Sequence, residues 1–201
     1  MTSAARPELR SVCVYCGSSP GADPRFLVTA AAVGRALAAE GLRLVYGGGT
    51  VGLMGALADA ALAEGGQVVG VIPRGLFRRE AAHRGLTELV EVGSMHERKQ
   101  RMAQLADGFA TLPGGLGTLE ELIEMVTWAQ LGIHAKPVVV LDDGGFWDPL
   151  AALLDHVVTH GFLLPENRGI VAFVSDVAQL VPMLRSHSVE PARPWLTAEE
   201  T

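Results

Sequence analysis

Two short stretches of the chain carry the residue types that could do chemistry. Pro113-Gly-Gly-Leu-Gly-Thr-Leu-Glu-Glu121 packs three glycines ahead of two adjacent carboxylates. A strand-to-helix turn stripped of side chains lets a ligand approach its backbone amides, and the helix dipole favours an anion there. Thr118-x-x-Glu121 also fits a capping box, with Thr118 as cap and Glu121 folding back onto the backbone. Ser94-Met-His-Glu-Arg-Lys99 places Arg98 in the first turn of a helix, where the dipole disfavours a cation. An Arg kept there points to an anionic partner, because its planar fork matches a phosphate or a carboxylate.

A third stretch, Gly47-x-Gly49-x-x-Gly52, follows a strand and opens a helix, formally matching the dinucleotide fingerprint. That fingerprint also needs an acidic residue at the end of the next strand, yet Val71-Ile-Pro-Arg74 supplies none. The turn therefore reads as tolerant of phosphate or as purely structural, and a nicotinamide site is disfavoured. Cys13 and Cys16 are spaced as CxxC inside a strand, where residues i and i+3 face opposite ways, so two buried thiols are expected rather than a redox pair. His156 and His160 share a helix face but lack the Glu that zinc hydrolases place after the first His. No nucleophile elbow is present either. Carboxylate, guanidinium and backbone amides are left to carry the chemistry.

The elements that must position them alternate. Continuous apolar runs read as strands at Ser11–Cys16, Leu42–Tyr46, Gln67–Ile72, Thr87–Glu91, Gly108–Leu112, Pro137–Leu141 and Ile170–Phe173. Helical periodicity falls at Pro24–Glu40, Gly52–Glu64, Ser94–Ala106, Thr118–Leu131, Phe146–His160 and Asp176–Leu184. This order predicts an α/β fold, a Rossmann-like doubly wound parallel sheet with helices on both faces. In such sheets ligands sit beyond the C-terminal strand ends, so the glycine turns after Cys16, Tyr46 and Leu112 should gather on one edge. Residues 10–185 are expected to form a single domain, with loose tails at 1–9 and 186–201.

Sixteen basic against 22 acidic side chains, with no basic stripe, argue against a nucleic-acid or anionic-membrane partner. A pocket for one phosphate is compatible with that balance, since a few amides and an Arg suffice. The first ten residues lack the apolar run of a signal segment and no window suits a membrane span, so a cytoplasmic location is expected.

Taken together, Ser94-Met-His-Glu-Arg-Lys-Gln-Arg-Met102 and Leu112-Pro-Gly-Gly-Leu-Gly-Thr-Leu-Glu-Glu121 resemble the signature of the Lonely Guy (LOG) family, cytokinin riboside 5′-monophosphate phosphoribohydrolases long mislabelled as lysine decarboxylases. The resemblance continues through Val14-Tyr-Cys-Gly-Ser-Ser, Val45-Tyr-Gly-Gly-Gly-Thr-Val-Gly-Leu-Met-Gly and Thr127-Trp-Ala-Gln-Leu-Gly-Ile-His-Ala-Lys-Pro, covering about residues 10–185. It implies a catalytic pair of Arg98 and Glu121. It also implies nucleotide contacts from Glu80, Lys99, Gly115, Leu116, Gly117, Thr118, Leu119, Glu120 and Thr127. The loop at 76–86 is more basic than the family pattern around Glu80. The resemblance further implies a homodimer without metal or organic cofactor, acting on a nucleoside monophosphate.

On these residues the expected chemistry is hydrolysis of an N-glycosidic bond, with Glu121 steadying the ribosyl cation and activating water while Arg98 orients it. Met95 and Trp128 are expected walls for an apolar substituent on the base, although either could equally serve the core. Prenylated and plain AMP are not distinguished. A non-catalytic nucleotide carrier would keep the glycine turns without needing both Arg98 and Glu121. A pyridoxal-dependent decarboxylase would need a Schiff-base lysine, and only Lys99 and Lys136 exist.

Overall fold

The computed structural model describes residues 8–77 and 82–189. Seven parallel strands form one sheet in the order β4-β3-β2-β1-β5-β6-β7. They are β1 (Ser11–Tyr15), β2 (Arg43–Tyr46), β3 (Val68–Pro73), β4 (Glu88–Val92), β5 (Gly108–Thr111), β6 (Val138–Leu141) and β7 (Val171–Val174). All seven expected strands are present, each within about a residue of its expected limits. β1, β5 and β6 are buried along their whole length, as continuous apolar runs in a two-sided sheet require. β4 is the most exposed: it is an edge strand exposing Glu88 and Glu91, charges that discourage pairing with another chain.

The helices are α1 (Arg25–Ala39), α2 (Gly52–Ala63), α3 (Arg74–Phe77), α4 (Met95–Leu105), α5 (Leu116–Leu131), α6 (Asp148–Thr159), α7 (Pro165–Arg168) and α8 (Val177–Ser186). α1, α2 and α8 cover one face of the sheet around Val12, Val14, Leu37, Leu44, Leu57 and Leu184. α4, α5 and the start of α6 cover the other around Cys13, Tyr15, Met102, Phe109, Leu122 and Trp147. The doubly wound architecture is therefore as expected. Cys13 and Cys16 fall on opposite faces, both buried and free, with burial pushing both thiols far above their ordinary range.

The order of strands matters for function. Chain direction along the sheet reverses between β1 and β5, and there the loops after both strands diverge and open a crevice. Gly17 N donates to the Pro113 carbonyl at 3.0 Å, so the turn after β1 and the turn after β5 are stitched side by side at that switch point. α4 crosses beneath the sheet from edge strand β4 to β5, packing on β3, β2 and β1. That long crossover delivers its first turn under the same crevice.

Two expectations shift. α5 begins at Leu116 with Gly115 as its N-cap, two residues earlier than read, which puts Thr118 inside the helix and rules out the Thr118–Glu121 capping box. The side-chain cap belongs to α4: Ser94 Oγ accepts from Glu97 N at 3.1 Å, and Glu97 Oε2 reaches back to accept from Gly93 N, the residue before the cap, at 2.6 Å. Leu9 packs on the core, Val189 is buried against Ala129 and Ile170, and a His187 ring nitrogen meets the Ile170 carbonyl.

Candidate active site

A cavity of about 320 Å³ opens at the switch point, within the ~300–1,000 Å³ usual for ligand sites. Its lining includes Ser18, Gly47, Met95, Arg98, Thr118 and Glu121. Gly115, Leu116 and Gly117 complete the rim, so the expected glycine turn and the expected catalytic pair share one space.

α5 sets the geometry. Its first intrahelical bond runs from Leu119 N to the Gly115 carbonyl, leaving the amides of Leu116, Gly117 and Thr118 without helical acceptors. These amides and the positive end of the dipole make an anion cradle. Gly114 keeps the turn compact: a Cβ there would overlap the Thr118 hydroxyl and press on Gly17 N. Glu121 follows one helical turn after Thr118 and points into the same cavity, its side chain only 12 % exposed. Burial pushes its carboxyl up from 4.5 to about 7, against the downward pull of Arg98 and with Glu120 adding to the rise.

Arg98 is held from behind. Its Nε donates to the Val71 carbonyl at 3.1 Å and its Nη2 to the Gly47 carbonyl at 3.3 Å. Nη1 remains directed toward Glu121 Oε1 at 3.7 Å. The reason for glycine at position 47 is now visible, since a Cβ there would overlap Arg98 Nη2. The Gly47–Gly52 turn thus seats the arginine. One amide of the following helix is also already committed, Leu53 N donating to the Gly17 carbonyl at 3.1 Å.

The other expected nucleotide contacts do not all converge. Leu119, Glu120 and Thr127 line a separate, shallow groove along α5 with Ile123, Glu124 and Trp128. Successive helical residues turn by about 100°, so these positions face away from the Glu121 side. Lys99 lies buried between, its ammonium bonded to both Glu120 and Glu124. Burial lowers its affinity for a proton, but the two carboxylates outweigh this and leave it raised. Thr127 Oγ1 donates to the Ile123 carbonyl at 2.7 Å. Glu80 lies outside the described residues. Of the two expected apolar walls, Met95 lines the cavity, joined by Met54 and Met102, whereas Trp128 does not.

The residue-level reading missed Glu124, although Glu120-x-x-x-Glu124 spacing was the available signal that two carboxylates share a helix face. It also missed Ser18 and Met54. Among the described residues no group of three or more His, Cys, Asp or Glu is placed to hold a metal ion. The ring centroids of His156 on α6 and of His160 at its C-cap are 4.0 Å apart, with no third such residue among the described residues grouped with them.

Comparison with known proteins follows the same lines. The family described as "Possible lysine decarboxylase" matches residues 54–184. The chain is 48 % identical over 187 residues to the cytokinin riboside 5′-monophosphate phosphoribohydrolase of Rhodococcoides fascians, covering 92 % of this chain and 94 % of the relative. This chain belongs to that family, the LOG family. A second family relative, the cytokinin riboside 5′-monophosphate phosphoribohydrolase LOG7 of Arabidopsis thaliana, is 43 % identical, covering 92 % and 85 % of the two chains. The LOG chain also shares its fold with the molybdenum cofactor binding protein of Rippkaea orientalis, with a TM-score of 0.67 at 22 % identity over 90 % and 98 % of the chains. The molybdenum cofactor carrier protein of Chlamydomonas reinhardtii shares it likewise, at 0.65 and 20 % over 89 % and 97 %. The decarboxylase wording of the family's description finds no support in the site's lysines. Lys99 is engaged by two carboxylates, and Lys136 Nζ donates to the Ala103 carbonyl at 2.8 Å, outside the cavity.

Proposed function

We propose that this chain hydrolyses the N-glycosidic bond of an N6-prenylated adenosine 5′-monophosphate, releasing the free cytokinin base and ribose 5-phosphate. The observation that carries the reading is the pairing, on one helix, of an anion cradle with a buried carboxylate one turn below it. The 5′-phosphate would sit on the amides of Leu116, Gly117 and Thr118. The rise from that first turn to Glu121 is about 5 Å, comparable with the span of a ribose, which brings C1′ toward the carboxylate.

Cleavage builds positive charge on the sugar as the C1′–N9 bond breaks and its electron pair leaves with the base. Ionised Glu121 would stabilise that charge and accept a proton from the water whose oxygen bonds to C1′, the departing base taking up a proton in turn. A base whose pKa lies near the working pH is well matched to this task, and Glu121 at about 7 meets the condition. Arg98 would hold the carboxylate in place and keep enough of it ionised. The chemistry requires no metal or organic cofactor.

Met54, Met95 and Met102 give the cavity a pliable apolar side suited to an N6 substituent. Five prenyl carbons fully buried would favour the prenylated nucleotide over AMP by up to ~4 kcal/mol. Leu119, Glu120 and Thr127 act, in this reading, on the adjoining face of α5, with Lys99 fixing Glu120 against the rim. The enzyme works in the cytoplasm as a homodimer, a state for which the exposed Ile123, Leu153 and Phe162 offer apolar surface. No helix among the described residues is long and apolar enough to cross a membrane.

The test is direct. Purified protein is incubated with isopentenyladenosine monophosphate, AMP and the unphosphorylated riboside, and released base is measured by chromatography. Release from the monophosphates and not the riboside supports the proposal. Binding without release contradicts it and favours a carrier.

A further inference from the structure

The glycine turn that seats Arg98 is gripped from its other side as well. Ala82 forms an antiparallel bridge with Gly49, and His83 N donates to the Gly48 carbonyl at 3.0 Å. The His83 side chain, 11 % exposed, brings Nε2 to 2.8 Å from Asp59 Oδ1 on α2. Its Nδ1 accepts from Gly85 N at 3.2 Å. The two ring contacts are compatible with one arrangement of protons: Nε2 carries hydrogen toward Asp59 and Nδ1 is bare toward Gly85.

The carbonyls of three successive glycines are thereby committed to three partners. Gly47 receives Arg98 Nη2, Gly48 receives His83 N, and Gly49 receives the Tyr46 hydroxyl at 3.2 Å. A run of glycines has no side chains to lock its conformation and loses more freedom on ordering than any other residue, so these external bonds must fix it. Leu86, from the same pinning segment, packs against Gly70 of β3, one residue before the Val71 carbonyl that takes Arg98 Nε. The segment 82–86 thus contacts the neighbours of both carbonyls that aim the guanidinium, Gly48 beside Gly47 and Gly70 beside Val71.

We propose that His83 and Asp59 are positioning residues for the hydrolysis: they clamp the Gly47–Gly49 turn and, through the Gly47 carbonyl, set the approach of Arg98 to Glu121. Neither side chain lines the cavity, which sets both apart from Arg98 and Glu121. The inference rests on the catalytic reading given above for Arg98 and Glu121.

The test uses the full-length protein with His83→Ala, Asp59→Ala and Asp59→Asn, the last keeping an oxygen acceptor for Nε2. Kinetics are measured on isopentenyladenosine monophosphate, and hydrogen–deuterium exchange is followed over residues 44–54. Displacing a catalytic group by an ångström can cost up to about 10²-fold, so both alanine variants should lose about 10-fold or more in kcat with KM little changed. Exchange should rise over residues 46–52 alone, and Asp59→Asn should restore both readouts. The proposal is overturned if the alanine variants keep kcat within about twofold, since misplacement of that size is the effect claimed. It is equally overturned if exchange rises across the whole sheet, which would mark a merely structural contact. If the wild type releases no base, the hydrolase reading fails instead, and the exchange data alone still decide whether the clamp holds the turn.

Discussion

Arg98 Nη1 stands 3.7 Å from Glu121 Oε1, beyond hydrogen-bond range, while Nε and Nη2 of the same guanidinium donate to the carbonyls of Val71 and Gly47. The arginine therefore tempers the cost of burying Glu121 without cancelling it, and the carboxyl settles at about 7. A tighter bidentate pair would have driven it well below the usual carboxylate range and made it a poor base.

That balance predicts a pH profile. In the proposed mechanism Glu121 acts ionised, so kcat/KM for base release should rise with pH and level off above an apparent pKa near 7. Glu121→Gln should lose the ionisation and on the order of 10²–10⁴-fold in kcat. A profile flat from pH 5.5 to 8.5 would deny Glu121 its role.

Removing the arginine should move that profile. In Arg98→Ala the buried carboxylate loses its compensating charge, so its pKa climbs and the rising limb shifts to higher pH. Activity lost at neutral pH should return in part toward pH 9. Arg98→Lys, a point charge, cannot serve Val71, Gly47 and Glu121 together, and should resemble the alanine variant more than the wild type. Stopped-time assays across pH decide this.

Gly47→Ala is the sparest probe of the seat. The φ at Gly47 is not in the left-handed region, so the backbone tolerates alanine, but the new methyl overlaps Arg98 Nη2. We expect a loss of about 10²-fold in kcat, comparable with an ångström-scale displacement, with the far-ultraviolet circular dichroism unchanged. Full activity would show that Arg98 does not depend on that carbonyl.

Stability carries the same signature. Glu121 holds its proton more tightly folded, at about 7, than at the ordinary 4.5. Between those values the folded state binds more protons than the unfolded one, so rising pH destabilises the fold, and the full penalty, about 3 kcal/mol, applies above pH 7. Glu121→Gln lacks this penalty. The difference in Tm between variant and wild type should therefore be more favourable to the variant at pH 8 than at pH 5, read by calorimetry.

Much of this was legible beforehand. Parallel strands buried on both faces read as unbroken apolar runs, which is why Val12–Val14 and Val138–Leu141 announce themselves. The four-residue helices α3 and α7 are too short to show periodicity and were missed. The start of α5 was misplaced because Thr118-x-x-Glu121 mimics a capping box, whereas in Ser94-x-x-Glu97 the serine does cap its helix. At the site, side-chain chemistry was readable: Arg98, Glu121 and the Gly115–Gly117 turn meet in one cavity. The partners that are backbone carbonyls were not. Nothing in the letters Gly47 and Val71 says that their oxygens aim an arginine brought from 51 and 27 residues away.

The decisive measurement is a crystal structure of Glu121→Gln with isopentenyladenosine monophosphate, in which slow turnover keeps the substrate whole. The account predicts the 5′-phosphate on the amides of Leu116, Gly117 and Thr118, and ribose C1′ facing the residue 121 side chain with Arg98 alongside. A phosphate seated elsewhere, with the sugar out of reach of both side chains, would contradict it.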